Sequence, residues 1–477
     1  MRRDHIQKKR TQLSSAITGD DAVKALISAE QQAFGAFSGT NTLSNNLMDR
    51  ICSEGNIKQA MRTVRRNKGS PGIDGMTVDA LADYWKEHGK DILHQLKNGK
   101  YVPQGIKGVQ IPKPGGGERQ LGIPTVVDRV IQQAILQILE PLIDPTFSES
   151  SYGFRPKRSA HQAIVAARTY VEEGRAWVVD IDLEKFFDRV NHDVLMSKLA
   201  KRVEDKTLLK LIRRFLKAGL MQDGLTEQRV SGTPQGSPLS PILSNIMLDE
   251  LDKELEKRGH RFCRYADDCN IYVRSEAAAI RVMESIQRFI EHRLKLTVNR
   301  SKSAATIVSE RKFLGYRLLT NGLLTVAPES LQRFKDKIRA LTKRNRGRCF
   351  ESIIKELAPL IRGWVNYFKM AAMKSIVQKL DAWIRRKLRC YRLKQRKRCW
   401  PIRNWLISLG VNEREALKLG ISSKGWWRLS KTPAIHYGMN NEWFNKHQGL
   451  LSLEGIYNQL GKHLNETAVC DNARTVV

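Results

Sequence analysis

Apolar residues recur at helical spacing through much of the N-terminal third of the chain. One helical pattern covers 47–66, and a second covers 126–139 and is expected to end at Pro141. Between them, 109–124 alternates around a Pro-Gly-rich turn, which predicts a β-hairpin. Residues 1–44 are polar and basic at the front, which indicates either partial disorder or an arm that orders on RNA.

The middle of the chain changes repeatedly between strand-like and helix-like patterns. In order, the predicted elements are a strand at 178–183, helices near 193–202, 205–218 and 242–255, a hairpin at 262–273, a helix at 277–294, and strands near 304–308 and 312–318. This order is that of a split β-α-β sheet with helices on one face, so we expect an α+β fold.

From residue 328 onward the pattern is helical. Three helices can be phased at 331–341, 353–368 and 376–388, and each has one apolar face. A last module over 400–463 places several tryptophans among Lys and Arg. Stacking on bases is one role for these rings, and forming the core of a small module is the other.

Charge changes the picture, because 82 Lys and Arg stand against 49 Asp and Glu, a formal charge of +33. Between 333 and 403 there are 23 basic and 4 acidic residues. Nucleic acid is the expected polyanionic partner; a charge that serves only solubility, or binding to acidic membranes, is the alternative. The candidate nucleic-acid contacts in this helical region are Arg362, Arg385, Arg386, Lys387, Lys394 and Arg396.

The seven cysteines show no Cys-x-x-Cys spacing. This argues against a disulfide scaffold and a zinc finger and fits a reducing compartment. No uninterrupted apolar run reaches the ~18 residues of a membrane span, and the basic N-terminus has no apolar segment behind it. We therefore expect a cytoplasmic protein that does not interact with membranes.

Acidic residues interrupt two otherwise apolar strands. Asp182 lies in the strand at 178–183, and Asp267 and Asp268 lie at the tip of the hairpin at 262–273. Adjacent aspartates often simply form turns, but an unpaired Asp in a core strand is costly. If the two strands are neighbours, their carboxylates form a cluster of hard oxygen ligands suited to Mg²⁺. Nucleotide polymerases hold their metals in this way.

Two further segments carry candidate nucleotide contacts. Lys113 and Arg119 lie on the two arms of the hairpin at 109–124, where they would clamp a triphosphate. Gln235 lies at the centre of the Pro-Gly-rich loop 232–241 and is able to hydrogen-bond a base or a sugar. The alternatives are two solvated hairpin charges and a helix connector that binds no ligand.

Six motifs, in matching order along the chain, resemble those of group II intron-encoded reverse transcriptases. They are RQLGIP at 119–124, YGFRP at 152–156, DLEKFFD at 182–188, TPQGSPLSP at 233–241, YADD at 265–268 and KFLGY at 312–316. In addition, RGWVNYF at 362–368 resembles the thumb or maturase signature of the family, and SKGWWRLS at 423–430 resembles the C-terminal DNA-binding region of bacterial members.

The resemblance implies a right-hand polymerase of fingers, palm and helical thumb, with a small C-terminal module. The implied domains are a basic polar arm (1–44), reverse transcriptase fingers and palm (45–327), a helical thumb or maturase domain (328–399), a DNA-binding-like module (400–463) and a tail (464–477).

The same correspondence assigns roles around the metals. Asp182 and Asp267, with a weaker contribution from Asp268 and help from the carbonyl of Ile181, would hold two Mg²⁺ ions. Lys302 would be a general acid for the pyrophosphate. The metals would activate the primer 3′-hydroxyl and stabilise the leaving group.

It also assigns contacts to the substrates. Lys113 and Arg119 would grip the triphosphate of a dNTP, Gln235 would contact the nucleotide, and Phe187 would stack on the sugar and exclude a 2′-hydroxyl. The further nucleic-acid contacts implied are Arg155 and, in the primer grip, Gly315 and Tyr316.

The implied function is that of an intron-encoded protein that binds its own intron RNA, assists splicing and copies the intron into DNA during retrohoming, by target-primed reverse transcription. Its partners would be intron RNA, an RNA template/DNA primer duplex, target DNA and dNTPs. Many relatives carry a C-terminal metal-dependent endonuclease, which nothing after Arg428 resembles. We therefore expect priming from DNA ends that already exist.

Three other functions remain open from the sequence. A non-catalytic RNA splicing factor would have an eroded metal site, whereas the acidic and basic site residues are all present. A free-standing reverse transcriptase in repair or phage defence differs mainly in the flanking DNA. An RNA-dependent RNA polymerase would need room for a 2′-hydroxyl, which Phe187 disfavours.

Overall fold

A computed structural model describes most of the chain. The described residues are 46–112, 116, 118–222, 225–227, 232 and 236–461. The predicted arm at 1–44 and the tail at 464–477 therefore lie outside them, as do Lys113 and Gln235. For Arg119 only the backbone is described.

Helices and short strands alternate along the chain, which confirms the predicted α+β class. The elements up to residue 227 are α1 Leu47–Ile51, α2 Glu54–Arg66, α3 Leu81–Lys97, β1 Ile106–Pro112, β2 Glu118–Ile123, α4 Val126–Ile143, α5 Ala160–Glu172, β3 Trp177–Ile181, α6 Phe186–Arg189, α7 His192–Ala200, α8 Lys206–Lys217, β4 Leu220–Gln222 and β5 Leu225–Glu227. The later elements are α9 Ser240–Lys257, β6 Arg261–Tyr265, β7 Asp268–Val273, α10 Glu276–Phe289, β8 Ala304–Ile307, β9 Lys312–Phe313, β10 Tyr316–Leu318, β11 Leu324–Val326, α11 Pro328–Leu341, α12 Phe350–Tyr367, α13 Lys374–Arg396, α14 Cys399–Ser408, α15 Glu413–Gly420, α16 Trp426–Leu429, α17 Pro433–Gly438 and a helix over 453–461.

The chain forms two compact units. The first comprises Met1–Ser148, Glu184–Glu250 and Glu291–Thr297, and the second comprises Glu149–Leu183, Leu251–Ile290 and Val298–Val477. In the first unit, the buried helix α4 packs against α1 and α2, and a sheet has the strand order β2-β1-β4-β5. The predicted hairpin at 109–124 is confirmed as the antiparallel pair β1–β2.

Two details predicted for the first unit are wrong. The helix expected at 47–66 is broken into α1 and α2 because Ser53 is extended and its hydroxyl donates to the carbonyl of Arg50. Pro141 does not end α4, which continues to Ile143. Proline lacks the N–H that would bond to the carbonyl of Gln137, four residues earlier, so Pro141 removes one helical hydrogen bond without ending the helix. The sequence pattern also left α3 unpredicted.

The second unit contains the sheet that carries the acidic strands. Its order is β6-β7-β3-β8, and every neighbouring pair is antiparallel. The strands at 178–183 and 262–273 are therefore neighbours, as the carboxylate cluster required. The segment 312–318, however, does not join this sheet. Leu314 and Gly315 have φ of 51° and 82°, which breaks the segment into β9 and β10. With β11 these two strands form a separate sheet in the order β11-β10-β9.

Helices α11, α12 and α13 confirm the three helical patterns from residue 328 onward. One continuous apolar cluster includes Val178 of the sheet, Phe350 of α12, Ile384 of α13, and Trp405 and Phe444 of the C-terminal module. The core is therefore not interrupted at the boundary predicted at 399/400. Among the described residues, no helix combines the length and the apolar character needed to cross a membrane.

Candidate active site

The antiparallel pair β3–β7 sets the position of the carboxylates. Asp182 directly follows Ile181, the last residue of β3, and Asp268 is the first residue of β7. Ile181 lies opposite Cys269 in the register, so the end of one strand and the start of the other lie at the same edge of the sheet. Both acidic groups therefore project from that edge, although they are 86 positions apart in the chain.

An open cavity of about 670 Å³ lies at this edge, and Asp180, Asp182 and Asp268 line it together with Lys302. Further basic side chains along its wall are Arg311, Lys312, Arg317 and Arg333. The arrangement combines carboxylate oxygens for a cation with cationic groups for phosphates, which is the composition that phosphoryl-transfer sites use.

The carboxylates repel one another. Asp268 contacts solvent at the cavity, yet desolvation by the surrounding protein raises its pKa to about 7, and the neighbouring Asp267, Asp180 and Asp182 contribute to the rise. A divalent cation would offset this repulsion, and carboxylates are ligands that Mg²⁺ favours. The donor set therefore fits a metal. Among the described residues, no group of three or more Asp, Glu, His or Cys side chains is placed so that it could hold a metal ion.

Lys302 lies beside Asp182, with Nζ 3.7 Å from a carboxylate oxygen. Its loop is attached to the backbone of Asp182: the N–H of Asn299 donates to the carbonyl of Asp182 at 2.8 Å, and the N–H of Asp182 donates to the hydroxyl of Ser303 at 3.0 Å. The Lys302 side chain remains largely exposed to the cavity, so its ammonium is accessible to a bound phosphate.

Arg311 is a site residue that the sequence reasoning missed. Its guanidinium pairs with Asp180 at 2.6 Å and also donates to the backbone carbonyl of Lys302. It therefore connects β3, which ends one residue before Asp182, with the loop that carries Lys302. The available signals were the position of Arg311 directly before the KFLGY motif and the even spacing of Asp180 and Asp182 on one strand face.

The turn between β6 and β7 has unusual backbone geometry. Ala266 has φ of 59°, a conformation that is costly for a residue with a Cβ atom. Gly153, from the YGFRP motif, lies against this turn, and a Cβ at position 153 would be 2.2 Å from the nitrogen of Ala266. The glycine is thus required by the close approach of two backbone segments.

Two of the predicted nucleotide contacts, Arg119 and Phe187, belong to the first unit, whereas the carboxylates belong to the second. Arg119 lies in β2 opposite Ile111. Phe187 lies in the short helix α6, half-buried, with its ring 5.2 Å from that of Phe186. Lys113 and Gln235 lie outside the described residues. The roles of all four residues in binding the nucleotide stay predictions.

Two predicted nucleic-acid contacts have buried side chains. Arg155 is 8% exposed and donates to the carbonyl of Ser151 at 3.0 Å. Tyr316 is 1% exposed, and its hydroxyl donates to the carbonyl of Tyr367. Both side chains therefore stabilise the core in this structure, because their polar ends are satisfied by backbone carbonyls. Gly315 does line the cavity.

The basic residues of the thumb helices differ in their surroundings. Arg362 of α12 is exposed, whereas the five predicted contacts on α13 are only partly so. Arg386 stacks 3.8 Å from the Trp427 ring and donates to its carbonyl, and Arg396 lies 5.4 Å from the Trp405 ring. These two arginines therefore also attach α13 to the C-terminal module.

Comparison with known proteins identifies two consecutive domains. The family described as "Reverse transcriptase (RNA-dependent DNA polymerase)" matches residues 111–318, which include Asp180, Asp182 and Asp268 of the cavity. The family described as "Group II intron, maturase-specific domain" matches residues 331–408, which include α12, α13, α14 and most of α11. Reverse transcriptase domains of this kind use divalent metals, in agreement with the donor set.

Two curated proteins show the extent of the similarity. Protein YkfC of Escherichia coli is 32% identical over 305 residues, which cover 55% of this chain and 80% of YkfC. Group II intron-encoded protein LtrA of Lactococcus lactis is 30% identical over 325 residues, which cover 54% of each chain. The chain thus spans about half the length of LtrA. The right-hand polymerase class predicted from the motifs is confirmed, and the chain belongs to the family of group II intron-encoded reverse transcriptases that carry a maturase domain.

Proposed function

We propose that this protein is an RNA-directed DNA polymerase that binds the RNA of its group II intron, assists its splicing and copies it into DNA by target-primed reverse transcription. One observation carries the proposal: Asp182 and Asp268, from neighbouring strands, line a single cavity with Lys302. A splicing factor that had lost catalysis would have no need for these three groups together.

The metal ligands in this proposal are the carboxylates of Asp182, Asp267 and Asp268 and the carbonyl of Ile181. Bound there, two Mg²⁺ ions would supply Lewis-acid activation of the primer 3′-hydroxyl and charge neutralisation for the pyrophosphate. Lys302 would hold a proton at Nζ and donate it to the departing pyrophosphate. Its contact with Asp182 keeps the ammonium at the correct side of the cavity.

Selection of the nucleotide is assigned to the first unit. Lys113 and Arg119 would pair with the triphosphate, Gln235 would hydrogen-bond the incoming nucleotide, and Phe187 would pack against the sugar. An aromatic ring against C2′ leaves no hydrogen-bond partner for a 2′-hydroxyl, so dNTPs would be preferred over ribonucleotides.

Nucleic-acid binding is assigned to the helices of the second unit. The thumb or maturase domain at 328–399 would bind the intron RNA and the template–primer duplex through Arg362, Arg385, Lys387 and Lys394, because phosphate backbones are neutralised by such basic faces. The module at 400–463 would contact the target DNA. Residues 45–327 would form the fingers and palm.

Primer extension on an RNA template with dNTPs and Mg²⁺ tests the polymerase directly. The variants are Asp267→Asn and Asp182→Asn, which keep the side-chain size, and the control is Asp193→Asn, an exposed acidic residue of α7. We expect the first two to lose at least about 10³-fold in kcat, as removal of metal ligands does in phosphoryl transfer, and the control to match the wild type.

Splicing and intron RNA binding are measured with the same variants. Retained splicing in variants without cDNA synthesis would support two separable functions. A wild-type protein that promotes splicing but makes no cDNA would refute the polymerase and leave a splicing factor, and cDNA synthesis without intron RNA binding would refute the maturase.

A further inference from the structure

The turn that carries Asp267 is supported from within the protein by a buried guanidinium. Arg264 of β6 and Asp252 of α9 are both 0% exposed. The Nε and Nη2 atoms of Arg264 donate to the two carboxylate oxygens of Asp252 at 2.7 and 2.6 Å. A bidentate pair of this kind fixes the plane of the guanidinium as well as its position.

The same guanidinium also donates into the turn. Its Nη1 atom donates to the carbonyl oxygen of Ala266 at 2.9 Å, and Nη2 donates to the hydroxyl of Ser151 at 2.7 Å. Ala266 is the residue with positive φ and directly precedes Asp267. Arg264 therefore fixes the orientation of the peptide group that joins Ala266 to Asp267.

The backbone of Arg264 is fixed too. Its N–H donates to the carbonyl of Ser150, and its carbonyl accepts from the N–H of Tyr152, each at 2.9 Å. Gly153 then approaches the turn so closely that a Cβ at this position would lie 2.2 Å from the nitrogen of Ala266. The turn is thus enclosed between the segment 150–153 and the guanidinium, and the structure leaves it little freedom to change its conformation.

We propose that Arg264 is a positioning residue for DNA synthesis, which sets the direction of the Asp267 and Asp268 carboxylates through the carbonyl of Ala266. The proposal rests on the proposed function, because it takes this turn to be the metal-binding element. Replacing a buried ion pair by apolar residues often costs no stability. Stability alone therefore gives no reason for this pair, whereas the additional bond to Ala266 does.

Arg264→Lys tests the proposal, because an ammonium keeps the charge opposite Asp252 but cannot contact both Asp252 and Ala266 with the same geometry. We expect kcat to fall about 10- to 100-fold, as small misplacements of catalytic groups do. The Mg²⁺ concentration for half-maximal activity should rise several-fold. KM for dNTP and the Kd for intron RNA should change less than about twofold.

A second readout does not need turnover. Fe²⁺ replaces Mg²⁺, and hydrogen peroxide and ascorbate are added. Peroxide oxidises the bound Fe²⁺ to Fe³⁺ and yields hydroxide and a hydroxyl radical, ascorbate reduces the Fe³⁺ again, and the radical cleaves the backbone next to the ion. Excess Mg²⁺ suppresses this cleavage. In the wild type we expect cleavage around 267–268. In Arg264→Lys, cleavage there should weaken, and more Fe²⁺ should be needed to restore it.

Two further variants separate positioning from a general loss of packing. Arg389→Lys shortens another buried arginine, which donates to the carbonyl of Met439 at 3.0 and 2.7 Å, and should leave kcat and the Mg²⁺ requirement unchanged. Ala266→Gly in the Arg264→Lys background should restore part of kcat, because glycine adopts positive φ without steric cost.

Wild-type kcat and Mg²⁺ dependence in a folded Arg264→Lys protein would overturn the proposal, as would an equal loss in Arg389→Lys. If Arg264→Lys does not fold, Asp252→Asn decides: it removes the charge that orients the guanidinium, so an unchanged Mg²⁺ requirement would contradict the proposal. Activity in Asp267→Ala would instead refute the proposed function itself, whatever the result at Arg264.

Discussion

At the scale of single residues, the groups around the carboxylates are held by partners far away in the sequence. Arg311 reaches Asp180 and the carbonyl of Lys302, and neither contact follows from a local pattern. In the proposed mechanism these contacts would fix Lys302, the proton donor, relative to the carboxylates that hold the metals, and charge-assisted bonds are strong enough to do so.

If Arg311 acts through Lys302, its effect should disappear when Lys302 is removed. Arg311→Lys and Lys302→Ala should each lower kcat by about tenfold or more, as loss of a general acid does, and the double variant should be no worse than Lys302→Ala alone. Single-turnover nucleotide incorporation measures this. Arg288→Lys, an exposed arginine of α10, is the control. Additive losses in the double variant would show that Arg311 acts independently.

Asp128 gives a pH prediction away from the site. It is 1% exposed and accepts hydrogen bonds from Tyr101 at 2.8 Å, from Thr125 at 3.0 Å and from the N–H of Gln104 at 3.1 Å. Burial nevertheless raises its pKa to about 6. Because the folded pKa exceeds the unfolded one, the folded state binds the proton more tightly, and this stabilisation is lost as the pH rises from about 4 to about 6.

Asp128→Asn should remove this pH dependence. The Tm of the variant relative to wild type should therefore increase between pH 4 and pH 6 and then stay constant. The corresponding change in unfolding free energy is about 1 to 3 kcal/mol. Thermal unfolding at a series of pH values measures the difference. A constant difference across this range would show that Asp128 ionises as it does in the unfolded chain.

At the scale of elements, backbone conformation divides a segment that the apolar pattern treats as one strand. The apolar residues of 312–318 predict a single strand, but Leu314 and Gly315 have positive φ. The carbonyl of Gly315 accepts from the N–H of Ala327, so the break also brings α11 to the cavity wall. A periodic pattern contains no information about such a turn.

Gly315→Ala should therefore be more harmful than an alanine at an open glycine. A Cβ at 315 would lie 3.0 Å from the hydroxyl of Ser330 and 3.4 Å from Phe368, in addition to the strain of φ 82°. Gly347 has φ of 65° with nothing within 4 Å. We expect losses of about 2 to 4 kcal/mol for Gly315→Ala and about 1 to 2 kcal/mol for Gly347→Ala. Equal losses in thermal or urea unfolding would show that the contacts at 315 are unimportant.

At the scale of the whole molecule, the charge of +33 is concentrated on helices that also form a core. One face of α13 packs inside the cluster that includes Phe350 and Trp405, and the other carries the basic residues. The same helix thus supports the fold and carries the proposed phosphate contacts, so residues for substitution must be chosen by their exposure.

The salt dependence of RNA binding distinguishes basic residues that contact phosphates from basic residues that do not. Arg362→Gln and Arg385→Gln should each weaken intron RNA binding and lower the slope of log Kd against log salt by about 0.7 to 0.9, since each removes one phosphate contact. Lys86→Gln, an exposed lysine of α3 paired with Asp83, should leave the slope unchanged. Filter binding at several salt concentrations measures this, and identical slopes for all variants would refute phosphate contacts at 362 and 385.

Much of the site was predictable because its acidic residues lie within short segments whose patterns can be recognised in the sequence. The strand that ends at Asp182 and the hairpin with Asp267 and Asp268 have strong apolar patterns, so an acidic residue within them is conspicuous. The family motifs then added the order of the domains. Residues such as Tyr316 and Arg155 were assigned to nucleic acid because the sequence does not reveal that their side chains are buried.

The sequence by itself determined the types and order of most elements, the basic character of the thumb helices and the acidic strands, because each depends on residues near one another in the chain. Only the tertiary structure decided which groups hold the site together. The Arg264–Asp252 pair, the contacts of Arg311 and the close approach of Gly153 to Ala266 join segments that are apart in the sequence or depend on side-chain direction, so no local pattern records them.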